Sequence, residues 1–503
     1  MKEVDVLVIG GGVNGAGIAR DLAGRGLTVT LCEKGDLAGA TSSASTKLIH
    51  GGLRYLEYYK FKLVREALIE REVLLRSAPH IISPLTFILP HHNKLRPWWM
   101  IRLGLFLYDY LGGRKILPAS KGLSFAGTSF GQPLKRDYTR GFSYADCRVD
   151  DARLVVLNAL DAAEKGAEIL TRTECIKVEK NPGDAGWIAT LHDLITGAKS
   201  QVHAQLIVNA AGPWVNEVLG LVREGEQKYK VRWVKGSHII VPRLFQGDHA
   251  YILQQQDNRI VFAIPYEKKY TLIGTTDVDY HGDLDAVRIN MEEVEYLCNS
   301  VNLYFRQQVK PEDVEWTYSG VRPLHEEPSV TDASAATREY LLDVEELNGG
   351  KILSVYGGKI TTFRKLSEHA GEMIVGLLGR GKGNWTAEAS LPGGEGAAVN
   401  FETFLKTLRR EYNWLPEALA LRYAHAYGAR CREFLRGAKR LADLGEDLGE
   451  NIHEAEIAYL VHVEWALTSE DILWRRSKLG LHLSHETQEN IERALKKILS
   501  KKE

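Results

Sequence analysis

The sequence predicts an α/β protein in which a domain opened by a βαβ unit is interleaved with a β-rich domain and followed by a helical cap. Three observations predict it. A β-branched run, a glycine cluster and a second strand fall within the first 33 residues, strand patterns crowd residues 231–280, and almost everything beyond residue 400 has helical periodicity.

The elements follow in order. Val4–Ile9 is a short apolar strand that stops at Gly10-Gly11-Gly12, a helix begins near Asn14, and Thr28–Cys32 closes the βαβ unit. Tyr58–Arg76 reads as a charged amphipathic helix ending at Pro79. From Pro84 to Tyr110 the chain is rich in proline and aromatics. Ala152–Glu164 is helical, a strand follows near Ala167–Thr171, and Gly186–Leu191 with Gln201–Val208 read as a meander. Val231–Val234, His238–Val241, Arg259–Ile264 and Tyr270–Gly274 read as strands, and Glu292–Gln308 as a helix. Leu391–Gly396 is the best linker. The expected domain division is 1–76, 145–215 and 341–390 for the nucleotide-binding parts. It assigns 77–144 to a substrate and membrane-contact segment, 216–340 to the substrate domain and 391–503 to the helical domain.

Composition narrows the function. Lys plus Arg total 64 and Asp plus Glu 65 among 503 residues, a net charge of −1, which removes the global pull expected of a nucleic-acid binder. Apolar residues at 44% and charged residues at 26% are ordinary globular usage. Five scattered cysteines form no CxxC pair, and no His, Cys or carboxylate spacing matches a metal site, so no metal is assigned. The acidic N-terminus lacks a signal-peptide pattern, and no apolar run is long enough to span a bilayer, so a cytoplasmic protein is expected.

Gly10-x-Gly12-x-x-Gly15 follows a strand and opens a helix, which gives a common pattern the context of a dinucleotide loop. Gly10 permits the turn, Gly12 lets backbone N–H groups approach a pyrophosphate, and Gly15 lets the helix pack on the strand; Asn14 sits at the helix start. Glu33, ending the second strand, suits a ribose hydroxyl and repels a 2′-phosphate. The loop alone does not separate FAD from NAD. The motif's position in the first ten residues, the strand and small-residue turn Leu206–Pro213 with Ala211 and Gly212, and a further strand, glycine pair and helix start at Ser354–Thr362 together favour FAD. The N–H groups of this last stretch, with Gly357, Gly358 and Thr361, are expected to face the flavin's pyrimidine end, where reduction places negative charge.

These stretches, with Ala40–Leu56 (ATSSASTKLIHGGLRYL), Gly141–Leu154, Lys235–His238, Ile273–Asp277 and Trp316–Pro323, closely resemble the FAD-dependent respiratory glycerol-3-phosphate dehydrogenases over nearly the whole chain. The resemblance implies a glutathione-reductase-like FAD fold and oxidation of sn-glycerol 3-phosphate to dihydroxyacetone phosphate. It also implies electron delivery to a membrane quinone from a peripheral position on the inner face of the cytoplasmic membrane, and leaves a homodimer open. It places the hydroxyl-rich run Thr41, Ser42, Ser43, Ser45 and Lys47 along the FAD.

Oxidising a carbinol needs a base, a phosphate clamp and a dry flavin face. Arg54 and Arg322, with Tyr55 beside the former, are the expected phosphate clamps because a guanidinium grips a dianion through two donors. His50, Lys359 and Thr276 are expected at the reacting hydroxyl, and the sequence does not rank His50 above Lys359 as base. Lys94–Tyr108, with two tryptophans, cations and an apolar run, is expected to lie in a lipid headgroup layer, helped by Arg114 and Lys115 on anionic lipid; the alternative is a core helix. His453, Glu454, His462 and Glu464 are read as packing and solvated faces. Two other functions compete: an amine or amino-acid oxidase on the same flavin fold, and a membrane-docked flavin redox sensor without turnover.

Overall fold

The computed structural model describes residues 2–92, 96–113, 115–182, 185–223, 228–257, 259–325, 339–347, 349–395 and 400–501. Lys94 and Arg114 lie outside them.

The opening βαβ unit forms as its pattern dictates. Strand Lys2–Ile9 pairs in parallel with Val29–Cys32 on one side and with Lys199–Asn209 on the other, Val6 standing opposite both Val29 and Leu206. Gly350–Tyr356 and Glu168–Leu170 extend this parallel core at its two flanks. Antiparallel strands Leu341–Leu347, Thr173–Lys180 and Trp187–Asp193 complete an eight-stranded sheet. Its central strands are buried on both faces, so they read as continuous apolar runs. Helices Val13–Gly24, Asp151–Glu164 and Phe363–Leu378 pack together over one face. Small residues let them approach: a Cβ at Gly17 would sit 2.8 Å from the Phe363 ring.

A second, ten-stranded sheet carries the β-rich domain. The two strands expected at 231–234 and 238–241 are one, Val231–Pro242, flanked by Tyr270–Gly274 and Trp316–His325. At its other end Ile82–His91 pairs with Arg140–Val149, which in turn pairs with Leu48–Ile49. The domain boundary expected at 144/145 is therefore corrected: it falls inside strand Arg140–Val149, a member of this second sheet. The expected helix Tyr58–Arg76 starts later, as Phe61–Ser77, because Tyr59 takes a left-handed φ of 56° after the short helix Leu53–Tyr58. The helix expected at 292–308 spans Met291–Asn302; the Asn302 side chain then exchanges hydrogen bonds with both backbone groups of Val309 and closes the turn.

The C-terminal helices share their own apolar core. Buried ion pairs join them to the first domain: Arg153 grips Glu464 through both terminal nitrogens, and Arg476 grips Asp36 at 2.6 and 2.8 Å. Glu464 is thus neither a solvated nor an apolar packing residue but the counter-charge of a buried arginine.

Candidate active site

A cavity of about 810 Å³ runs along the C-terminal ends of the parallel strands and into the seam between the sheets. Ligand crevices of open α/β sheets lie at this place, outside the carboxyl ends of the strands. At one end Gly10, Gly12 and Asn14 line it. Gly10 has φ 114° and no room for a side chain, since a Cβ would lie 2.5 Å from Ala210 O. Gly15 sits beneath the loop rather than in the cavity lining, and a Cβ there would lie 1.9 Å from Gly10 O. Ser42 accepts a hydrogen bond from Val13 N at 2.9 Å, fixing the helix start. The Glu33 carboxylate accepts from Gly11 N at 2.6 Å and Gly35 N at 2.7 Å; burial pushes its pKa up against those two donors. Asn14 donates to Gly357 O at 3.2 Å while its own carbonyl oxygen is buried without a partner among the described residues. That pairing ties the dinucleotide loop to the glycine pair Gly357 and Gly358, whose φ values of 72° and 101° favour glycine.

The other end is built by side chains from distant segments. His50 and Tyr55 line it from the loop that leaves the edge strand Leu48–Ile49, and Lys359 from the loop after Tyr356. The Lys359 ammonium lies 4.0 Å from the centre of the Tyr55 ring, and the two loops are stitched where His50 N donates to Thr361 Oγ1 at 3.2 Å. Arg322 enters from strand Trp316–His325; its guanidinium pairs with Asp277 and donates to Thr275 Oγ1 at 3.2 Å. Behind them His238 stacks on Tyr318 and bonds Thr46 Oγ1 at 3.0 Å. Burial, with Arg322 and Lys47 nearby, drives its imidazole well below the usual value, so the ring is neutral.

Comparison with known proteins accords with this geometry. A family model described as FAD dependent oxidoreductase matches residues 5–364, and one described as the C-terminal domain of alpha-glycerophosphate oxidase matches residues 384–502. A glycerol-3-phosphate dehydrogenase of Pseudomonas aeruginosa is 53% identical, covering 96% of this chain and 93% of the relative. The chain belongs to the FAD-dependent glycerol-3-phosphate dehydrogenase family. A D-erythritol 1-phosphate dehydrogenase of Brucella abortus is 52% identical over 96% of both chains. A solved structure of a glycerol-3-phosphate dehydrogenase from Bacillus halodurans, complexed with FAD, has a TM-score of 0.76 at 26% identity, covering 99% of this chain and 95% of that one.

The residues present suit the family's cofactor. The orphaned Asn14 carbonyl oxygen, the Gly10–Gly12 turn with its helix N-terminus, and the cavity's reach from Glu33 to Thr361 fit an FAD laid from adenosine to flavin. Thr41, Ser42, Ser45, Ala211 and Gly212 join the lining, although the Thr41 hydroxyl donates to Val321 O at 2.6 Å and the Ser45 hydroxyl to Asp151 at 2.7 Å.

Four expected positions are corrected. Lys47 turns away from the large cavity at φ 59°, because the fully buried Asp151 carboxylate takes its ammonium at 2.8 and 3.0 Å; Lys47 and Ser43 line an adjoining cleft instead. Thr276 is buried behind the wall, accepting from Ser237 N and donating to Glu293, both at 2.9 Å, and its neighbour Thr275 faces the cavity. Arg54 is not part of the lining: its guanidinium lies by the Tyr58 ring and hydroxyl at the outer surface. One arginine, Arg322, rather than two, reaches the cavity from the expected pair. The sequence reasoning missed Thr275 and Asp277, although both lie in the quoted Ile273–Asp277 stretch. The backbone just past strand Tyr270–Gly274, held where Thr276 N donates to Ser237 O at 3.3 Å, decides which threonine faces in.

Proposed function

We propose that the protein oxidises sn-glycerol 3-phosphate to dihydroxyacetone phosphate and passes the electrons to a membrane quinone. The observation that carries this reading is the meeting, in one cavity, of a dinucleotide cradle with a wall holding one guanidinium, one ammonium, one imidazole and a threonine hydroxyl. Gly10, Gly12, Asn14, Glu33, Gly357 and Gly358 hold the FAD. The bound flavin supplies the acceptor for the carbinol hydride.

The chain's own residues do the rest. Arg322 takes the phosphate dianion through two N–H groups, with the Thr275 hydroxyl beside it and Asp277 fixing the guanidinium plane. His50, which lines the cavity from the loop after strand Leu48–Ile49, takes the proton of the secondary hydroxyl. Lys359, a cation above Tyr55, steadies the alkoxide oxygen as it forms. The neutral His238 and its stacked Tyr318 back this wall without adding charge.

Anaerobic titration of the flavoprotein tests the reading. Glycerol 3-phosphate should bleach the flavin band, and glycine or sarcosine should leave it; bleaching by the amino acids instead selects the oxidase alternative, and bleaching by none selects the redox sensor. The Brucella relative supports a second substrate of the same chemistry, since a tetritol phosphate also carries a secondary hydroxyl beside its phosphorylated carbon. Parallel reduction by D-erythritol 1-phosphate ranks the two. His50→Asn should slow flavin reduction in rapid mixing; an unchanged rate passes the role of base to Lys359.

Docking on anionic lipid completes the reading. Helix Trp98–Leu111 buries Leu105, Tyr108 and Asp109 and exposes Trp99, Leu103, Phe106 and Tyr110, while Tyr58, Tyr59 and Phe61 are exposed on the neighbouring segment. Arg96, which pairs with Glu57 across the two, supplies surface charge with Arg102 and Lys115. No helix among the described residues is long and apolar enough to cross a membrane. The short helix Leu53–Tyr58 connects this patch to Tyr55 in the cavity, a route for a quinone from lipid to flavin. Trp99→Glu with Leu103→Glu should release the protein from phosphatidylglycerol vesicles; undiminished sedimentation with them would sink the lipid assignment.

A further inference from the structure

Behind the reacting wall, three segments converge on one peptide N–H. Gly51, the residue after His50, donates to Tyr108 Oη at 2.8 Å, with Asp146 Oδ1 at 3.3 Å. Tyr108 donates to the Asp146 carboxylate, whose oxygens both lie at 2.8 Å. Arg71 Nη1 donates to Asp146 Oδ1 at 2.6 Å and to Ala145 O at 2.9 Å. Helix Trp98–Leu111, strand Arg140–Val149 and helix Phe61–Ser77 thus each send one side chain to the same point, and all three side chains are buried.

The chemistry of the network is directional. Burial and the adjacent Asp146 carboxylate push the Tyr108 phenol well above its usual value, so it stays protonated. Its single hydrogen goes to Asp146, leaving a lone pair for Gly51 N. The site also admits no side chain at Gly51, where a Cβ would lie 2.4 Å from Leu68 Cδ2 and 2.7 Å from Tyr108 Oη. Gly52 follows in a left-handed conformation, φ 75°, and starts the short helix that carries Tyr55. The His50–Gly52 peptides are therefore the joint between the edge strand and the Tyr55 helix, and the network grips that joint.

A buried arginine–carboxylate pair loses hydration on folding and is a weak source of net stability, so its geometry is the more informative property. We infer that Tyr108, Asp146 and Arg71 are positioning residues that fix the Gly51 amide and thereby hold His50 and Tyr55 against the cavity. The inference rests on the proposed reading, in which His50 takes the substrate's proton and Tyr55 carries the Lys359 cation on its ring. It also makes the helix whose outer face carries the exposed aromatic row a structural support of the reacting wall.

Tyr108→Phe removes one oxygen and tests it in the FAD-loaded full chain. Rapid mixing with saturating glycerol 3-phosphate should show flavin reduction slowed about tenfold, the scale of one lost hydrogen bond at the barrier. FAD content, the oxidised flavin spectrum and reduction by dithionite should match the parent protein. Asp146→Asn, which keeps an acceptor oxygen for Gly51, should slow the same step less, and Arg71→Lys, which keeps the charge, should restore most of the rate. A Tyr108→Phe protein that melts earlier yet is reduced at the parental rate overturns the positioning role while leaving the proposed function intact. A parent protein that glycerol 3-phosphate does not bleach overturns the functional reading and this inference with it.

Discussion

The two ends of the cavity are built on different principles. The end at Gly10–Gly15 is a backbone device: consecutive residues, a turn that excludes side chains, and N–H groups at a helix start. The end at His50, Tyr55, Thr275, Arg322 and Lys359 is a side-chain device, assembled from segments more than 300 residues apart in sequence. A backbone device tolerates almost no substitution, and its turn is written in a few consecutive residues. A side-chain device depends on the register of two sheets and yields graded losses when one member is removed.

The largest effect separates the two ends outright. Gly15→Val places carbon where Gly10 O already stands, 1.9 Å from a Cβ, so the helix cannot seat on the loop. The purified variant should be colourless, with no flavin released on heat denaturation; a yellow Gly15→Val protein would refute the backbone account. Arg322→Ala should keep its colour and lose substrate affinity. Removing a guanidinium from a phosphate costs about 3 kcal/mol, roughly a hundredfold in KM. An unchanged KM would remove Arg322 from the phosphate site.

That contrast also explains what the sequence made legible. The βαβ unit, the turn at Ala211–Gly212 and the glycine pair at 357–358 were readable because glycine at a strand end has a local cause. The strands of the second sheet within residues 231–280 were readable, but Ile82–His91 and Arg140–Val149 were not, since their pairing depends on contacts 49 to 67 positions apart. Lys47 was misplaced for a related reason. Its sequence neighbours point to the flavin, whereas its ammonium answers the charge of Asp151, buried 104 positions away. Arg54 lies in the right motif on the wrong face of a two-turn 3-10 helix, a matter of rotation that spacing alone does not decide. The Tyr108–Asp146–Arg71 network carried no sequence signal at all, being one residue from each of three elements.

The adjacent threonines divide the side-chain end more finely. Thr275→Val removes a hydroxyl that bonds Arg322, and should raise KM about tenfold with stability kept. Thr276→Val instead leaves Ser237 N and Glu293 each short of a buried partner. It should lower the melting temperature by several degrees, at about 1–3 kcal/mol, with a smaller change in KM. Equal KM effects from both would show that the strand end rotates when substrate binds.

The smallest expected effect is at Arg54, and it probes the wall most sharply because the sequence pairs it with Arg322 while the structure parts them. With its guanidinium beside Tyr58 at the outer surface, Arg54→Ala should change KM by only about two- to threefold, the scale of an exposed charge acting at a distance. Its vesicle binding should weaken by a comparable amount, because the side chain borders the exposed Tyr58–Phe61 segment. A KM rise as large as that of Arg322→Ala would mean that Arg54 swings from Tyr58 into the cavity on binding. Tyr58→Phe, which removes the hydroxyl that holds it outside, should then lower KM. If KM stays put in Tyr58→Phe while Arg54→Ala raises it steeply, the short helix itself must turn, carrying Tyr55 with it, and the side-chain end would be an induced rather than a preformed site.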